Sequence, residues 1–193
     1  MNYQFKAFGN ILILLALVGL SFIFLPPVRQ EAKYQFGQLL KIAPPQDLKP
    51  VDSNFGIVIP KIGANAKVIA NVDAGNQNEY EKILQKGVAH TLGTSLPGGT
   101  DDIYLFAHST NFSFDILQFN AVFYLLHNLE NGDEISLYYL GRRYNYYVYD
   151  KKIVDANDVE YITKKYNQPN LTLQTCWPPG TILKRLLVFA KPK

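Results

Sequence analysis

From Phe55 onwards the chain repeats one local pattern. Short runs of apolar, β-branched and aromatic residues are each closed by a turn. The runs are Phe55–Pro60, Lys67–Val72, Ile103–Ala107, Ile135–Leu140, Tyr144–Val154, Leu171–Cys176 and Leu186–Ala190. Several alternate apolar and polar, and that period of two puts successive side chains on opposite faces of a strand. Pro97-Gly98-Gly99, Asn131-Gly132-Asp133, Gly141-Arg142 and Trp177-Pro178-Pro179-Gly180-Thr181 supply the breaks, because proline cannot donate to a ladder and glycine permits unusual dihedrals. Helical spacing is confined to Asn78–Gln85 (Tyr80, Ile83, Leu84), stopped by Gly87, to Ser113–Leu129 (Phe119, Val122, Phe123, Leu126), and to a short connection over Asp158–Tyr166. Gly87 to Thr94 leads into the first of those turns. Thirteen tyrosines and twelve phenylalanines fit a β-rich chain. Seven or eight such strands predict a mostly antiparallel barrel, which by closing removes its exposed edges.

The first 54 residues do not share this pattern. Ala7 to Leu25 is apolar apart from Asn10 and Ser21, about the twenty residues that cross a bilayer core as a helix. Pro26-Pro27 is expected to end it, and no small-x-small cleavage site follows, so residues 1–27 read as an uncleaved signal anchor. Lys6 on one side and Arg29 and Lys33 on the other leave orientation nearly undecided by charge. A domain of this size after a single span is expected outside the cytoplasm. Residues 28–54 are polar and carry Pro44, Pro45 and Pro50, so they are expected to form a tether with a little helix around Glu31–Leu40. Residues 55–193 form the domain. A net charge of +3 gives no global reason to expect nucleic acid.

Cys176 is the only cysteine. That excludes an intramolecular disulfide and a zinc site built on paired cysteines. Cys176 ends one predicted strand and Arg185 begins the next, which brings a nucleophile and a fixed cation to the same end of a sheet. Thr172-Leu173-Gln174-Thr175-Cys176 resembles the T-L-x-T-C signature of sortases, membrane-anchored cysteine transpeptidases. The resemblance extends, in the family's order, over Gly56–Gly63, Gly87-Val88-Ala89-His90, Pro97-Gly98, Ile103–Ser109 and Leu129–Ile135. It implies a closed eight-stranded barrel. It implies Cys176 as nucleophile, His108 as general acid and base, and Arg185 as the oxyanion and substrate-positioning residue. Thr175 would support them with a hydroxyl or backbone donor to the oxyanion.

These residue types suffice for acyl transfer. A thiolate attacks carbonyl carbon, an imidazole holds a proton and gives it to a leaving amine, and a guanidinium stabilises a tetrahedral oxyanion. His90 competes with His108; the family carries a histidine there too, though not as the catalytic one. His127 reads as surface, and Arg142 and Arg143 as solvated in a hairpin turn. The nine-position gap from Cys176 to Arg185 fits sortases with a short final loop, class D or E rather than the calcium-dependent housekeeping class. Asp47-Leu48-Lys49-Pro50 does not match the aspartate-proline-aromatic lid of pilin-polymerising members. Asp101-Asp102 replaces the glycine-asparagine often found there in the family.

Cross-strand aromatic pairing accounts for the tyrosines of Tyr138–Tyr149 better than base stacking does. Asp101, Asp102, Asp133, Glu134 and Glu160 offer oxygens to calcium but form no D-x-D-x-D-G loop. No cofactor is therefore expected, with calcium the one candidate ion. The expected substrates are secreted proteins bearing an L-P-x-T-G-like C-terminal sorting motif, with an amine of a cell-wall precursor or a pilin lysine as acceptor. Two rival readings are a membrane-tethered barrel that binds peptides without catalysis and a peptidoglycan L,D-transpeptidase. The latter's serine-histidine-glycine-cysteine context is absent around Thr175-Cys176-Trp177.

Overall fold

The computed structural model of the 193-residue chain describes residues 2–40, 48–109 and 121–193, and within the first helix the side chains of residues 8–19, 29, 31–32, 34–37 and 39–40. Eight strands are described: β1 (Phe55–Ile59), β2 (Ala64–Val72), β3 (Val88–Thr91), β4 (Asp102–Phe106), β5 (Glu134–Tyr139), β6 (Arg142–Asp155), β7 (Asn170–Trp177) and β8 (Lys184–Pro192). They close into a barrel in the order β1-β2-β3-β4-β7-β8-β6-β5. The pairings are antiparallel except β2–β3 and β4–β7, so the expected mostly antiparallel closed barrel is observed. Helices are few, as expected: α1 (Asn2–Leu39), α2 (Gln77–Leu84), α3 (Glu160–Thr163) and 3-10 turns at Pro60–Ile62 and Tyr124–Asn128. The helical pattern read over Ser113–Leu129 lies outside the described residues up to 120; its remainder holds only the second 3-10 turn.

Alternation decides what enters the barrel. Ile57, Ile59, Leu105, Ile135, Leu173 and Val188 point inward and are fully enclosed. Each such side chain contributes about 1.5–3 kcal/mol relative to exposure. The β5–β6 hairpin closes through Leu140 and Gly141, both at positive φ (50° and 76°), the mirror-image two-residue turn that matches strand twist. Arg142 and Arg143 follow as the first residues of β6, not as turn residues, and Arg143 bonds Glu134 at 2.6 Å across the pair.

The N-terminal expectations need correction. α1 does not stop at Pro26-Pro27 but continues to Leu39. Residues beyond the prolines favour helix, and a Gln35–Glu31 bond at 2.8 Å spans one turn. Nor is this part a free tether. Tyr34 packs against the barrel's core cluster, and Glu31 lies 3.9 Å from His127. Residues 41–47 of the expected tether lie outside the described residues. Among the described residues no helix is long and apolar enough to cross a membrane; part of the Ala7–Leu25 run falls outside the described side chains.

The parallel β4–β7 pair carries a buried carboxyl. Asp102 lies level with Asn170 and is 5% exposed. Its Oδ1 accepts from Asn170 Nδ2 at 2.5 Å and Thr172 Oγ1 at 3.0 Å, while Oδ2 has no partner among the described residues. Burial pushes its pKa from 3.8 up to about 7, against the two hydrogen bonds. Ionisation is therefore disfavoured in the folded state. The penalty is absent below pH 3.8, grows between there and about 7, and is complete above; that difference corresponds to no more than about 4 kcal/mol. Asp102→Asn, which cannot ionise, should raise Tm by several degrees at about pH 8 and hardly at about pH 4. An equal gain at both pH values would show that ionisation of Asp102 is not the cause.

Candidate active site

Period two and register place the three candidate residues together. In β7, Leu171, Leu173 and Thr175 are buried, the two leucines within the barrel core. Thr172, Gln174 and Cys176 fall on the opposite, outer face. Cys176 is directly paired with Arg185 of β8, and Gln174 with Leu187. On the other side, Phe106 of β4 pairs with Gln174 in parallel. The ladder runs on past the strand's end, because Ala107 N–H donates to Gln174 O at 3.2 Å. Continued by two residues, the register sets His108 level with Cys176. The outer face of β4, β7 and β8 thus reads in rows: His108–Cys176–Arg185 at the rim, then Phe106–Gln174–Leu187, then Tyr104–Thr172–Phe189.

The lower rows are covered and the rim is open. Tyr104, Leu187 and Phe189 form a cluster overlain by Tyr161, Ile162 and Tyr166. On the β4 side, α2 packs Tyr80 edge-on against Phe106, centroids 5.8 Å apart. His108, Cys176, Arg185 and Gln174 are all half-buried. A turn from Pro178 to Thr181, closed by Thr181 N–H to Pro178 O at 3.0 Å, joins β7 to the loop before β8. At the start of β8, Arg185 Nη1 donates to the carbonyls of Ile182 in that loop and of Lys184, each at 3.1 Å.

Of the two donors expected of Thr175, hydroxyl or backbone, the hydroxyl is engaged elsewhere. Thr175 is 3% exposed, and its hydroxyl donates to Ala107 O at 2.9 Å. That proton is spent on the residue before His108 and is not free for an oxyanion. With the Ala107 N–H bond, it clamps the end of β4 to β7 immediately beside Cys176.

Burial raises the Cys176 thiol above its usual 9.0, with Arg185 opposing. Burial lowers His108 below its usual 6.5, with Glu81 opposing. Both shifts disfavour charge, favouring the thiol and the neutral imidazole. Alkylation of Cys176 by iodoacetamide should be slow at about pH 7 and still rising above about pH 9, because the thiolate is the reacting form. A rate that plateaus below about pH 7 would contradict this.

His90 is held elsewhere. It is fully buried; Asn71 N–H donates to its Nδ1 at 3.1 Å, and its Nε2 faces Ser95 O at 2.9 Å. One ring nitrogen is occupied by the backbone of β2 and the other by that of the loop after β3, and burial lowers its pKa. It is a structural histidine joining β2 to the loop after β3. His127, expected at the surface, is half-buried. Its ring lies 5.4 Å from that of Trp177 and its Nδ1 3.1 Å from Tyr124 O. Trp177, His127 and Glu31 thus link the residue after Cys176 to α1, a connection no local sequence pattern signals. The acids weighed for calcium are dispersed: Asp101 pairs with Lys165, Asp133 with Lys61 and Glu134 with Arg143. Among the described residues no group of three metal-ligating side chains comes together.

Comparison with known proteins agrees with this architecture. A family model described as the sortase domain matches residues 57–193. The chain is similar to sortase D of Bacillus subtilis strain 168, with 29% identity over 136 residues. That match covers 69% of this chain and 60% of that relative, so the chain spans less than two thirds of that relative's length. The similarity fits the short-loop, class D or E reading. Among solved structures, sortase C-1 of Actinomyces oris superposes with a TM-score of 0.60 at 28% identity, covering 74% of this chain and 75% of that one. Sortase C of Clostridium perfringens, solved with the C-terminal cell wall sorting motif, superposes with a TM-score of 0.58 at 25% identity over 86% and 87% of the two chains. With the family model spanning residues 57–193, well over half of the chain, the chain belongs to the sortase family.

Proposed function

We propose that this chain is a membrane-anchored cysteine transpeptidase acting on an L-P-x-T-G-like sorting motif. The observation that carries the reading is the register pairing of Cys176 with Arg185, beside a β4–β7 ladder that ends at Phe106–Gln174 and the Ala107 N–H bond, one residue short of His108. Cys176 Sγ attacks the scissile carbonyl while neutral His108 takes the thiol proton. Arg185 leaves its loop carbonyls to hold the oxyanion. Collapse of the tetrahedral intermediate breaks the C–N bond, His108 gives its proton to the departing amine, and a thioester remains on Cys176. An acceptor amine then attacks the thioester and loses a proton to His108; collapse breaks the C–S bond as the amide forms, and His108 returns that proton to the departing Cys176 sulfur.

The sorting motif solved with the Clostridium perfringens relative supports the substrate class. The acceptor, a cell-wall precursor amine or a pilin lysine, follows from the family reading. The anchor rests on Ala7–Leu25: its described side chains Phe8, Ile11–Leu15, Leu17 and Val18 are exposed, and the helix has no distinct apolar face, as suits a helix surrounded by lipid. The barrel would then stand on the outer surface of the cytoplasmic membrane.

The full chain in detergent, given a library of L-P-x-T-G-like peptides and an amine acceptor, should yield an amide product that Cys176→Ala abolishes. Peptide binding without product would favour a barrel that binds and does not catalyse. In intact cells, an external protease should reach the barrel; protection until lysis would overturn the proposed orientation.

A further inference from the structure

The loop from β7 to β8 ends in two adjacent apolar residues that face solvent. Ile182 is 77% exposed and Leu183 70%. Single exposed hydrophobics are ordinary, but this pair sits in a loop suited to leaving water. No acidic residue occurs between Trp177 and Lys184. Pro178 and Pro179 have no N–H to desolvate. Pro178 O accepts the Thr181 N–H at 3.0 Å and the Thr181 hydroxyl at 2.8 Å. Ile182 O accepts from Arg185 Nη1 at 3.1 Å. The usual obstacle to placing a loop in an apolar medium, its open backbone groups, is therefore reduced. Lys184 follows the tip, its side chain 54% exposed and 3.9 Å from Asp155. An apolar tip backed by a lysine suits the headgroup zone of an anionic bilayer.

Helix α1 reaches the barrel at the same end. Tyr34 packs against the core cluster. One turn earlier Glu31 lies 3.9 Å from His127, whose ring is 5.4 Å from that of Trp177. Trp177 pairs with Lys184 across β7 and β8, so Ile182 and Leu183 stand one or two residues beyond that pair. Leu25 precedes Glu31 by six residues of continuous helix, about 9 Å. We propose that Ile182 and Leu183 dip into the lipid surface in which α1 is anchored. This rests on the anchor reading of Ala7–Leu25. The loop then holds the Cys176–Arg185 end of the sheet at the membrane. A second copy of the chain is a poor occupant, because two side chains fall far short of the ~800 Å² per partner of a stable interface.

The test uses the full chain with Cys176→Ala, which removes its only thiol, in vesicles of phosphatidylcholine and phosphatidylglycerol. A polarity-sensitive fluorophore is attached in separate samples at Ile182→Cys, Leu183→Cys, Leu14→Cys in α1, and Leu140→Cys at the β5–β6 turn. Labels at 182 and 183 should be blue-shifted and quenched by lipids carrying nitroxides, as at 14, while the label at 140 should not. Labels at 182 and 183 as unquenched as at 140, with 14 quenched, would overturn the proposal and leave the anchor standing. Quenching at 182 and 183 without quenching at 14 would sink the anchor reading and leave the loop as a lipid contact. No quenching at any position would sink both. A blue shift without quenching would also overturn the proposal: if it needs added L-P-x-T-G-type peptide, the loop meets substrate, and if it grows with protein density, it meets a second copy.

Discussion

Arg185→Ala should lower turnover of a sorting-motif peptide at least about a hundredfold, the scale of losing one preorganised oxyanion donor, while the barrel stays folded. Among the described residues the guanidinium of half-buried Arg185 donates to the Ile182 and Lys184 carbonyls, each at 3.1 Å, bonds worth about 1 kcal/mol each, so little stability is at stake. It is the cation nearest in register to the thiol, and it opposes the upward shift of Cys176. Its removal should therefore also push alkylation of the thiol to still higher pH. Arg185→Lys keeps the charge but not the planar fork and should recover part of the loss. Turnover within a factor of about three in Arg185→Ala would remove the arginine from the oxyanion.

His108→Ala and His90→Ala should fail in opposite ways. General acid–base catalysis is worth about a hundred- to ten-thousandfold, so His108→Ala should lose turnover on that scale with a nearly unchanged Tm, as expected of a half-buried side chain. His90 is fully buried and bound at both nitrogens. His90→Ala leaves a cavity and two unpaired backbone groups, and should cost about 2–4 kcal/mol of stability. Turnover per folded molecule should survive. Steady-state turnover and thermal unfolding on the same samples separate the two. Normal Tm with abolished turnover in His90→Ala would reverse the assignment.

The barrel and the Cys176–Arg185 end of one sheet were legible because both depend on a period of two, whereas His108 entered only through the family resemblance. Alternation through Leu171–Cys176 fixes which side of the sheet the thiol takes, and a turn followed by Arg185 fixes its partner. What was not legible depends on pairings between distant segments. Asp102 looks like a surface acid in its loop; only the parallel pairing of β4 with Asn170 buries it. The Thr175 clamp on Ala107 and the Tyr104 bond to Gln174 cross the same parallel pair and leave no periodic trace. His127 was misplaced because the residues that cover it, Trp177 and Glu31, are contributed by β7 and α1. Pro26-Pro27 misled because proline is a strong local helix breaker, yet favourable residues on its far side carry α1 onward to dock at Tyr34.

The central claim is that Cys176 carries the acyl group, and intact-mass spectrometry of the full chain incubated with L-P-x-T-G-like peptides, with no amine acceptor present, tests it most directly. The account predicts a mass increase equal to the peptide's N-terminal fragment, mapped to Cys176, cleared by added amine and absent in Cys176→Ala. A folded chain whose thiol is alkylated by iodoacetamide above pH 9.0 but which gains no such mass with any peptide of the library would contradict it.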